Sequence, residues 1–320
     1  MICTNIPIML VYNYMKNKKL STVAELLQWA TKNNRAVCAF NVNNMELIQA
    51  VTSAADEIGV PIILQISKGA RNYAGMPFLV GLVESAIQSV KIPIALHLDH
   101  GDSFEICKEC LDAGFTSVMI DGSHLSYEDN ITITKRVVDY AKKTGASVEG
   151  ELGQIAGIEE HVVNEKSLYT EPSVVADYVK RTGVTSLAVS IGTAHGAFKY
   201  KAPNPTLRFD ILEQIRDQIP NTPLVLHGAS SVTPGDVELI NKHGGKIKNA
   251  YGIGEENLAK AIPLGVRKIN IDSDLRLAFT AKLREYFNQN PEHFDPRQYL
   301  GAARAHVKEL VKRKLETFSQ

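Results

Sequence analysis

The chain has 320 residues, enough for one large α/β domain or two ordinary ones with a sizeable buried core. Its 35 basic and 35 acidic side chains give a formal net charge of zero, which excludes a global electrostatic attraction to nucleic acid or to an anionic membrane. An anionic ligand would therefore need a local site.

The cysteine content points to a reducing compartment. Cys3, Cys38, Cys107 and Cys110 are too few and too unevenly spaced for the disulfide scaffold of a secreted protein, so we expect a cytoplasmic location. Cys107 and Cys110 form a C-x-x-C with no second pair. They lie in a segment of helical period, where positions i and i+3 share a face, and we interpret them as ordinary helix residues rather than a zinc or redox pair.

Residues 1–20 form an N-terminal extension whose status the sequence leaves open. The apolar run from Ile6 to Val11 precedes the lysines of residues 16–19, which is the reverse of the order in a signal peptide, and it is far shorter than a membrane span. We expect a non-catalytic extension, with Met15 as an alternative start, followed by a single domain over residues 21–320.

From Ser21 onward, apolar runs of strand length alternate with segments of helical period. Ser21 or Thr22 is expected to cap the first helix. The predicted strands are Ala36 to Val42, Pro61 to Ile66, Pro93 to Asp99, Thr116 to Asp121, Ala146 to Glu151, Ser186 to Ile191, Pro223 to His227 and Val266 to Ile271. The predicted helices are Val23 to Lys32, Met45 to Ile58, Met76 to Val90, Phe104 to Ala113, Asn130 to Lys143, Pro172 to Thr182, Ile211 to Gln218 and Gly235 to His243.

Eight strands that alternate with helices indicate an α/β protein with a (β/α)8 barrel, and a doubly wound open sheet is the alternative. Beyond the last strand, Leu275 to Asn288 and Ala302 to Phe318 predict additional C-terminal helices. The Pro-containing stretch from Asn290 to Leu300 is expected to connect them.

Polar side chains gather where the predicted strands end. They are Asn41, Ser67, Asp99, His100, Asp121, Ser123, Glu149, Glu151, His195, His227, Ser230, Asn270 and Asp272. The strands begin instead with residues such as Ala36 and Pro61, which offer no chemistry. Barrel enzymes carry their chemistry at the carboxyl ends of the strands, so this asymmetry predicts the active site there.

Ionisable side chains crowd the end of the third strand. His97, Asp99 and His100 could form either a hydrogen-bonded structural pair or a metal or acid/base site there.

Three histidines at strand ends predict a metal site. His100, His195 and His227 would converge at the mouth of a closed barrel. Three imidazoles are a donor set of catalytic zinc, which leaves a coordination position open for substrate.

A phosphate site is predicted next to these histidines. Gly196 and Gly228 each follow a histidine and allow close approach of a ligand to the backbone, and Ser230 adds a hydroxyl. Asn270 and Ser273 add donors at the last strand. Together they could cradle an anion, although tight turns that happen to use Gly and Ser remain the alternative.

Eight motifs follow one another along the chain. They are Ala39-Phe40-Asn41-Val42-Asn43, Leu64-Gln65-Ile66-Ser67-Lys68-Gly69, His97-Leu98-Asp99-His100-Gly101, Val118-Met119-Ile120-Asp121, Glu149-Gly150-Glu151-Leu152-Gly153, Ile191-Gly192-Thr193-Ala194-His195-Gly196, Leu226-His227-Gly228-Ala229-Ser230 and Lys268-Ile269-Asn270-Ile271-Asp272-Ser273-Asp274. In the identity and order of these motifs, the chain resembles the class II, metal-dependent fructose-1,6-bisphosphate aldolases of the shorter type. The resemblance extends from about Ser21 to the C-terminus.

The resemblance implies a lyase of glycolysis and gluconeogenesis that reversibly cleaves fructose 1,6-bisphosphate to dihydroxyacetone phosphate and glyceraldehyde 3-phosphate. A tagatose-1,6-bisphosphate aldolase, or another ketose-bisphosphate aldolase, is the enzymatic alternative. A non-catalytic metal-binding barrel is the alternative of a different class, and loss of a zinc-binding histidine or of Asp99 would have favoured it. None is lost. A homodimer or homotetramer is expected.

The resemblance also implies the ligand contacts. Zinc would be held by His100, His195 and His227, and a second metal by His100 with Asp121 and Glu151; activation by a monovalent cation stays open. The phosphate of dihydroxyacetone phosphate would lie on Gly196, Lys199, Gly228, Ser230, Asn270 and Ser273.

Two carboxylates match proton-transferring residues of the family. Asp99 would protonate the aldehyde oxygen in condensation and deprotonate the C4 hydroxyl in cleavage, although it could instead only orient His100. Glu159 matches the glutamate of the catalytic loop. It could also be a solvated charge, and Glu160 beside it is an alternative.

Specificity for fructose is implied by Asp272 and Arg276. Arg297 matches an arginine that reaches the second phosphate from a neighbouring subunit, and Ser67 matches another contact there; a surface salt bridge is the alternative for Arg297.

The chain departs from the family at several positions. Relatives usually have Ala and His in place of Gly122 and Leu125, Ala in place of Gly150, Gly-Gly in place of Ala156-Gly157, and Asp in place of Glu160. The departure at Ala156 leaves the closure and rate of the catalytic loop open, because Ala is less permissive than Gly.

Overall fold

The protein is described here from a computed structural model that covers residues 19–159, 162–164, 168–198, 200 and 205–320. The predicted N-terminal extension and its alternative start at Met15 lie largely outside the described residues. Within them, no helix is both long enough and apolar enough to cross a membrane.

The strands are β1 (Val37–Asn41), β2 (Ile62–Ile66), β3 (Ile94–Gly101), β4 (Ser117–Ile120), β5 (Ser147–Leu152), β6 (Ala156–Glu159), β7 (Val162–Asn164), β8 (Ser186–Val189), β9 (Ala194–His195), β10 (Leu224–Leu226) and β11 (Val266–Ile271). Eight of them close into a parallel barrel in the order β1-β11-β10-β8-β5-β4-β3-β2. Pairing of β1 with β11 closes the ring, which confirms the (β/α)8 barrel and excludes the open sheet.

The helices are α1 (Val23–Asn33), α2 (Met45–Ile58), α3 (Lys68–Ala74), α4 (Met76–Ser89), α5 (Phe104–Asp112), α6 (Tyr127–Ala141), α7 (Val175–Thr182), α8 (Phe209–Gln218), α9 (Pro234–Lys242), α10 (Glu255–Ala261), α11 (Ser273–Gln289) and α12 (Pro296–Phe318). Short 3-10 turns at Pro172–Val174 and Ile262–Leu264 precede α7 and β11. The helices surround the barrel, so its strands are buried on both faces, as expected of a parallel sheet.

Helix α1 blocks one end of the barrel. Thr22 caps it, because its hydroxyl accepts a hydrogen bond from the backbone N–H of Glu25 at 3.2 Å. Its buried face, which includes Leu26 and Leu27, packs with residues of the barrel interior such as Ala39. Since the backbone of α1 also binds Ser147 at the start of β5, the covered end is the amino-terminal one. The barrel therefore opens at the carboxyl ends of its strands.

Several predicted boundaries were wrong. Helix α12 begins at Pro296 rather than at residue 302, because Asp295 caps it and proline is well tolerated at the first helical position. Helix α6 begins at Tyr127, behind the cap Ser126, rather than at residue 130. Helices α3 and α10 and the small sheet β7-β6-β9 were not predicted.

Candidate active site

The three predicted zinc-binding histidines meet at the open end of the barrel. The ring of His100 lies 4.6 Å from the ring of His227 and 5.1 Å from that of His195, measured between centroids. The rings of His195 and His227 are 6.1 Å apart. All three side chains are buried. His100 lies on β3, His195 lies on β9 and His227 follows β10 directly. The fold thus brings together residues that are up to 127 positions apart in the sequence.

His100 is held by its own backbone and by a carboxylate. Its φ of 46° is left-handed, a conformation rare in non-glycine residues, and such residues gather at functional sites. Its Nδ1 donates to Oδ2 of Asp121 at 3.0 Å. Burial alone would raise the pKa of Asp121, but hydrogen bonds from His100 and Ser123 outweigh burial and hold that pKa well below its usual range. Asp121 is therefore an anion beside His100.

His227 is oriented by a buried chain of charged groups. Oε1 of Glu149 accepts a hydrogen bond from Nε2 of His227 at 2.7 Å, and Oε2 of Glu149 accepts one from Nζ of Lys268 at 2.8 Å. Lys268 also faces Nε2 of His97 at 3.2 Å, and Nδ1 of His97 lies 2.8 Å from the hydroxyl of Ser117. Burial and Lys268 keep the pKa of His97 well below its ordinary value, so this ring is neutral.

Asp99 is fixed by amide donors. Its Oδ2 accepts from Asn41 at 2.7 Å and its Oδ1 from Asn270 at 3.3 Å. Asn41 is positioned in turn by Gln65, whose amide donates to it at 2.8 Å. Oδ1 of Asp99 lies 3.8 Å from Nδ1 of His227. The carboxylate is thus held beside the histidine cluster in one orientation.

Two donor sets among the described residues could hold a divalent metal ion, and His195 belongs to neither. Two groups of ligand atoms lie within 4.8 Å of one another, namely Asp99 with His100 and His227, and His100 with Asp121 and Glu151. His227 carries its proton on Nε2, because the carboxylate of Glu149 can only accept, so Nδ1 carries the lone pair. This lone pair accepts from Nδ2 of Asn270 at 2.9 Å and could bind a metal in its place. Imidazoles with nearby carboxylates match zinc better than magnesium or calcium, which take oxygen ligands.

A polar pocket adjoins the histidines. It is lined by His195, Gly196, Gly228, Ser230, Asn270 and Ser273, with Ala229 and Asp272. Gly228 has a φ of 61°, and a Cβ there would lie 2.5 Å from the carbonyl of Ala194, so no larger residue fits. The structure brings together all the predicted phosphate contacts except Lys199, which lies outside the described residues.

The loop of Glu159 is attached to the strand of His195. Strand β6 pairs with β9, with Gly157 opposite His195, and forms a hairpin with β7 in which Glu159 pairs with Val162. Gly157 has a φ of 105°, and a Cβ there would lie 2.3 Å from the carbonyl oxygen of His195. Glu160 lies outside the described residues.

The remaining predicted contacts lie at the rim. Ser67 is buried at the end of β2, where it caps α3. Arg276 donates to Oδ1 of Asp272 at 2.7 Å, and Arg297 pairs with Asp295 at 2.6 Å. The side chain of Arg297 is 89% exposed. Within this chain, then, Arg297 does not join the histidine cluster.

Two of the departures from the family share a buried neighbourhood. A Cβ at Gly122 would lie 2.5 Å from Oδ1 of Asn130, and a Cβ at Gly150 would lie 2.6 Å from the hydroxyl of Tyr178. That hydroxyl donates to Oδ1 of Asn130 at 3.0 Å, and Nδ2 of Asn130 donates to the carbonyl of Glu151 at 2.9 Å. Larger polar side chains therefore occupy the space beside both glycines, directly behind Glu151.

The contacts that position His227 were not identified from the sequence. Glu149 was predicted only as a polar residue at a strand end and His97 only as part of the cluster at the end of the third strand, while Lys268 appeared only inside a motif. A lysine within the apolar run Val266 to Ile271 was the available signal, because a fully buried lysine needs a charged partner. Its partner Glu149 lies on a strand that is distant in sequence.

A buried cluster of imidazoles and carboxylates at the mouth of a (β/α)8 barrel defines a metal-dependent barrel enzyme. A family model described as Fructose-bisphosphate aldolase class-II matches residues 21–320. The chain belongs to this family, whose members are metal-dependent lyases, as the sequence motifs predicted.

Individual relatives agree with this assignment. The fructose-bisphosphate aldolase of Thermus caldophilus is 50% identical over 301 residues, which cover 93% of this chain and 98% of the relative. That of Treponema pallidum (strain Nichols) is 46% identical over 313 residues, covering 92% and 94%. The crystal structure of the YdjI aldolase from Escherichia coli K12 superposes with a TM-score of 0.75 at 30% identity, covering 94% of this chain and 97% of that one.

Proposed function

We propose that the protein is a zinc-dependent aldolase, carried by a single domain over residues 21–320, that reversibly cleaves fructose 1,6-bisphosphate into dihydroxyacetone phosphate and glyceraldehyde 3-phosphate. One observation supports this most. The rings of His100, His195 and His227 converge within 4.6 to 6.1 Å beside Asp99, which amide donors hold in one orientation. The names of the relatives from Thermus caldophilus and Treponema pallidum support the same reaction.

In this proposal His100, His195 and His227 hold the catalytic zinc, and His100 with Asp121 and Glu151 provides a second metal position. A zinc ion held by these residues would supply Lewis acidity toward the ketone oxygen and toward the negative charge that develops there. The protein contributes an imidazole of fixed orientation at His227, because Glu149 holds the proton of His227 on Nε2.

Asp99 is the base for cleavage. It takes the proton of the C4 hydroxyl as the C3–C4 bond breaks, and returns it to the aldehyde oxygen in condensation. Asn41 and Asn270 hold its two carboxylate oxygens and so limit the directions in which it can reach the hydroxyl.

Glu159 gives the proton that C3 needs after cleavage and removes it again in condensation. Its placement on the hairpin supports this role, since β6 pairs with the strand of His195. In cleavage, Asp99 takes one proton from the C4 hydroxyl and Glu159 delivers one proton to C3. The substrate therefore loses and gains one proton, and the reaction is balanced.

Two phosphate sites complete the proposal. Gly196, Gly228, Ser230, Asn270 and Ser273, with Lys199, hold the phosphate of the dihydroxyacetone half. Ser67 and the Arg297 of a neighbouring copy hold the phosphate of the glyceraldehyde half. Such a contact requires a homodimer or homotetramer. The exposure of the Arg297 side chain in the single chain supports a contact of this kind. Asp272 and Arg276 would select the C4 configuration of fructose.

The test is cleavage of fructose 1,6-bisphosphate and, in parallel, tagatose 1,6-bisphosphate by the wild-type protein and by Asp99→Ala. We expect fructose to be preferred and the variant to lose about 100-fold or more in kcat, the usual contribution of a positioned acid/base group. Asp112→Asn, which changes a surface carboxylate on α5, serves as the control and should keep full activity. Full activity of Asp99→Ala, or a preference for tagatose, would contradict the proposal.

A further inference from the structure

A buried lysine on the last helix makes three contacts at once. Lys314 of α12 is fully buried. Its Nζ lies 2.7 Å from Oδ2 of Asp274, 2.8 Å from Oε1 of Glu255 and 2.8 Å from the hydroxyl of Ser231. An ammonium group has three N–H donors, so these three partners use its full capacity.

Asp274 carries the connection from Lys314 to the backbone beside the phosphate pocket. Its Oδ2 accepts from the N–H of Ser231 at 2.9 Å, and its Oδ1 accepts from the N–H of Val232 at 2.6 Å. These two residues directly follow Ser230, which lines the pocket. Lys314 therefore joins α12 to the loop after β10 in two ways, directly through the hydroxyl of Ser231 and indirectly through Asp274.

The backbone that Asp274 binds is strained. Val232 has a φ of 51°, which a β-branched residue adopts only when its surroundings impose it. The same loop is held from its other side by Gly252, where a Cβ would lie 2.3 Å from the carbonyl of Ser231. The turn is thus kept in one conformation by groups outside it.

Lys314 stays charged in this environment. Burial by itself lowers the pKa of Lys314, but Asp274 and Glu255 outweigh burial and the pKa lies above its ordinary value. Among the described residues, neither Lys314 nor Asp274 lines the phosphate pocket. Their effect on a ligand must therefore pass through the turn.

We propose that Lys314 is a positioning residue for substrate phosphate: through Asp274 and the hydroxyl of Ser231 it holds the turn at Ser230 to Val232 in the conformation that binds the phosphate group. The inference rests on the proposed function, which places a phosphate at Gly228 and Ser230. It adds a residue of the last helix, 84 positions beyond Ser230, to the machinery of phosphate binding.

Lys314→Met tests the proposal, because it removes the charge and the three donors while keeping an unbranched side chain. Leu310→Ala, in the buried face of the same helix, is the control for general loosening of α12. Inorganic phosphate is used as a competitive inhibitor of fructose 1,6-bisphosphate cleavage. We expect its inhibition constant and the KM to rise about tenfold in Lys314→Met with a smaller change in kcat, the scale of one lost charge-assisted hydrogen bond.

Hydrogen–deuterium exchange provides a readout that needs no substrate. The amides of Ser231 and Val232 should exchange faster in Lys314→Met than in Leu310→Ala, and Lys314→Arg, which keeps the charge, should restore much of the protection. Unchanged protection of these amides would overturn the inference.

A double-mutant cycle separates a role through Asp274 from a general structural role. If Lys314 and Asp274 hold the turn together, the loss of phosphate affinity in the double variant Lys314→Met/Asp274→Asn should be clearly smaller than the sum of the two single losses. Additive losses would overturn the inference. Failure of the wild-type protein to cleave the substrate or bind phosphate would instead overturn the proposed function, and the inference about phosphate with it.

Discussion

Oε1 of Glu149 lies 2.7 Å from Nε2 of His227 in the interior of the barrel, where both side chains are 1% exposed. The carboxylate can only accept, so it determines which ring nitrogen of His227 carries the proton and leaves the Nδ1 lone pair on the side of Asp99. Lys268, at 2.8 Å, compensates the charge of Glu149. The tautomer of His227 that could bind a metal is therefore fixed by residues of two other strands, Glu149 on β5 and Lys268 on β11.

Glu149→Gln should weaken zinc binding. The amide can donate as well as accept, so it no longer fixes the His227 proton on Nε2, and we expect the zinc affinity to fall about 10- to 100-fold. A competition titration of the metal-free protein with a chromophoric chelator measures it. Glu57→Gln, which changes an exposed carboxylate paired with Lys308, should bind zinc as the wild type does. Equal affinities of the two variants would refute the role of Glu149.

Asn41→Ala should slow catalysis without removing the metal. The substitution deletes the 2.7 Å donor to Asp99, and its loss should lower kcat about 10- to 100-fold, the range for a hydrogen bond to a charged group. Steady-state kinetics and metal analysis of the same sample provide the measurement. A normal kcat would show that Asn41 does not orient Asp99, and loss of zinc would show that it acts on the metal site instead.

Gly150→Ala should destabilise the fold by about 1–3 kcal/mol, because the new Cβ would lie 2.6 Å from the hydroxyl of Tyr178. Tyr178→Phe in the same chain should recover part of this loss by removing the clashing oxygen. Gly301→Ala is the control: it lies in α12 with open space at its Cβ, so alanine should be neutral or stabilising by up to about 1 kcal/mol. Urea unfolding measures all three. No loss of stability in Gly150→Ala would contradict the packing described.

The barrel could be predicted from the sequence because its strands are buried on both faces and are therefore largely apolar, which separates them from the segments of helical period between them. Helix α12 was predicted too short, since the Pro296 that starts it was interpreted as part of a connection. The hairpin of β6 and β7 gave no signal, because its pairing with β9 depends on residues about 40 positions away, as Gly157 opposite His195 shows.

In the site, the polar residues at the strand ends predicted which side chains would meet, and the structure brings His100, His195 and His227 together. Their supporting contacts could not be predicted. The approach of Lys268 to Glu149 depends on side chains that cross the barrel interior, and the backbone strain at Val232 depends on a partner 42 positions away. Sequence patterns describe single strands, whereas these contacts join several.

The thiols of the described cysteines should be unreactive in the folded protein. Burial raises the pKa of Cys38 and of Cys110 to about 12, and that of Cys107 further, so little thiolate exists near neutral pH. Titration with a coloured disulfide reagent at pH 8 should modify these three only after unfolding. Rapid reaction of Cys107 and Cys110 in the native protein would contradict their interpretation as buried helix residues and favour a redox role.

The most direct test of the account is the rate of fructose 1,6-bisphosphate cleavage after the metal is removed by a chelator and zinc is then restored, with the metal content measured at each stage. We predict that activity disappears with the metal and returns as about one zinc ion per chain is bound at His100, His195 and His227. A variant such as His195→Ala should show no such return. Undiminished cleavage by protein that holds no metal would contradict the account.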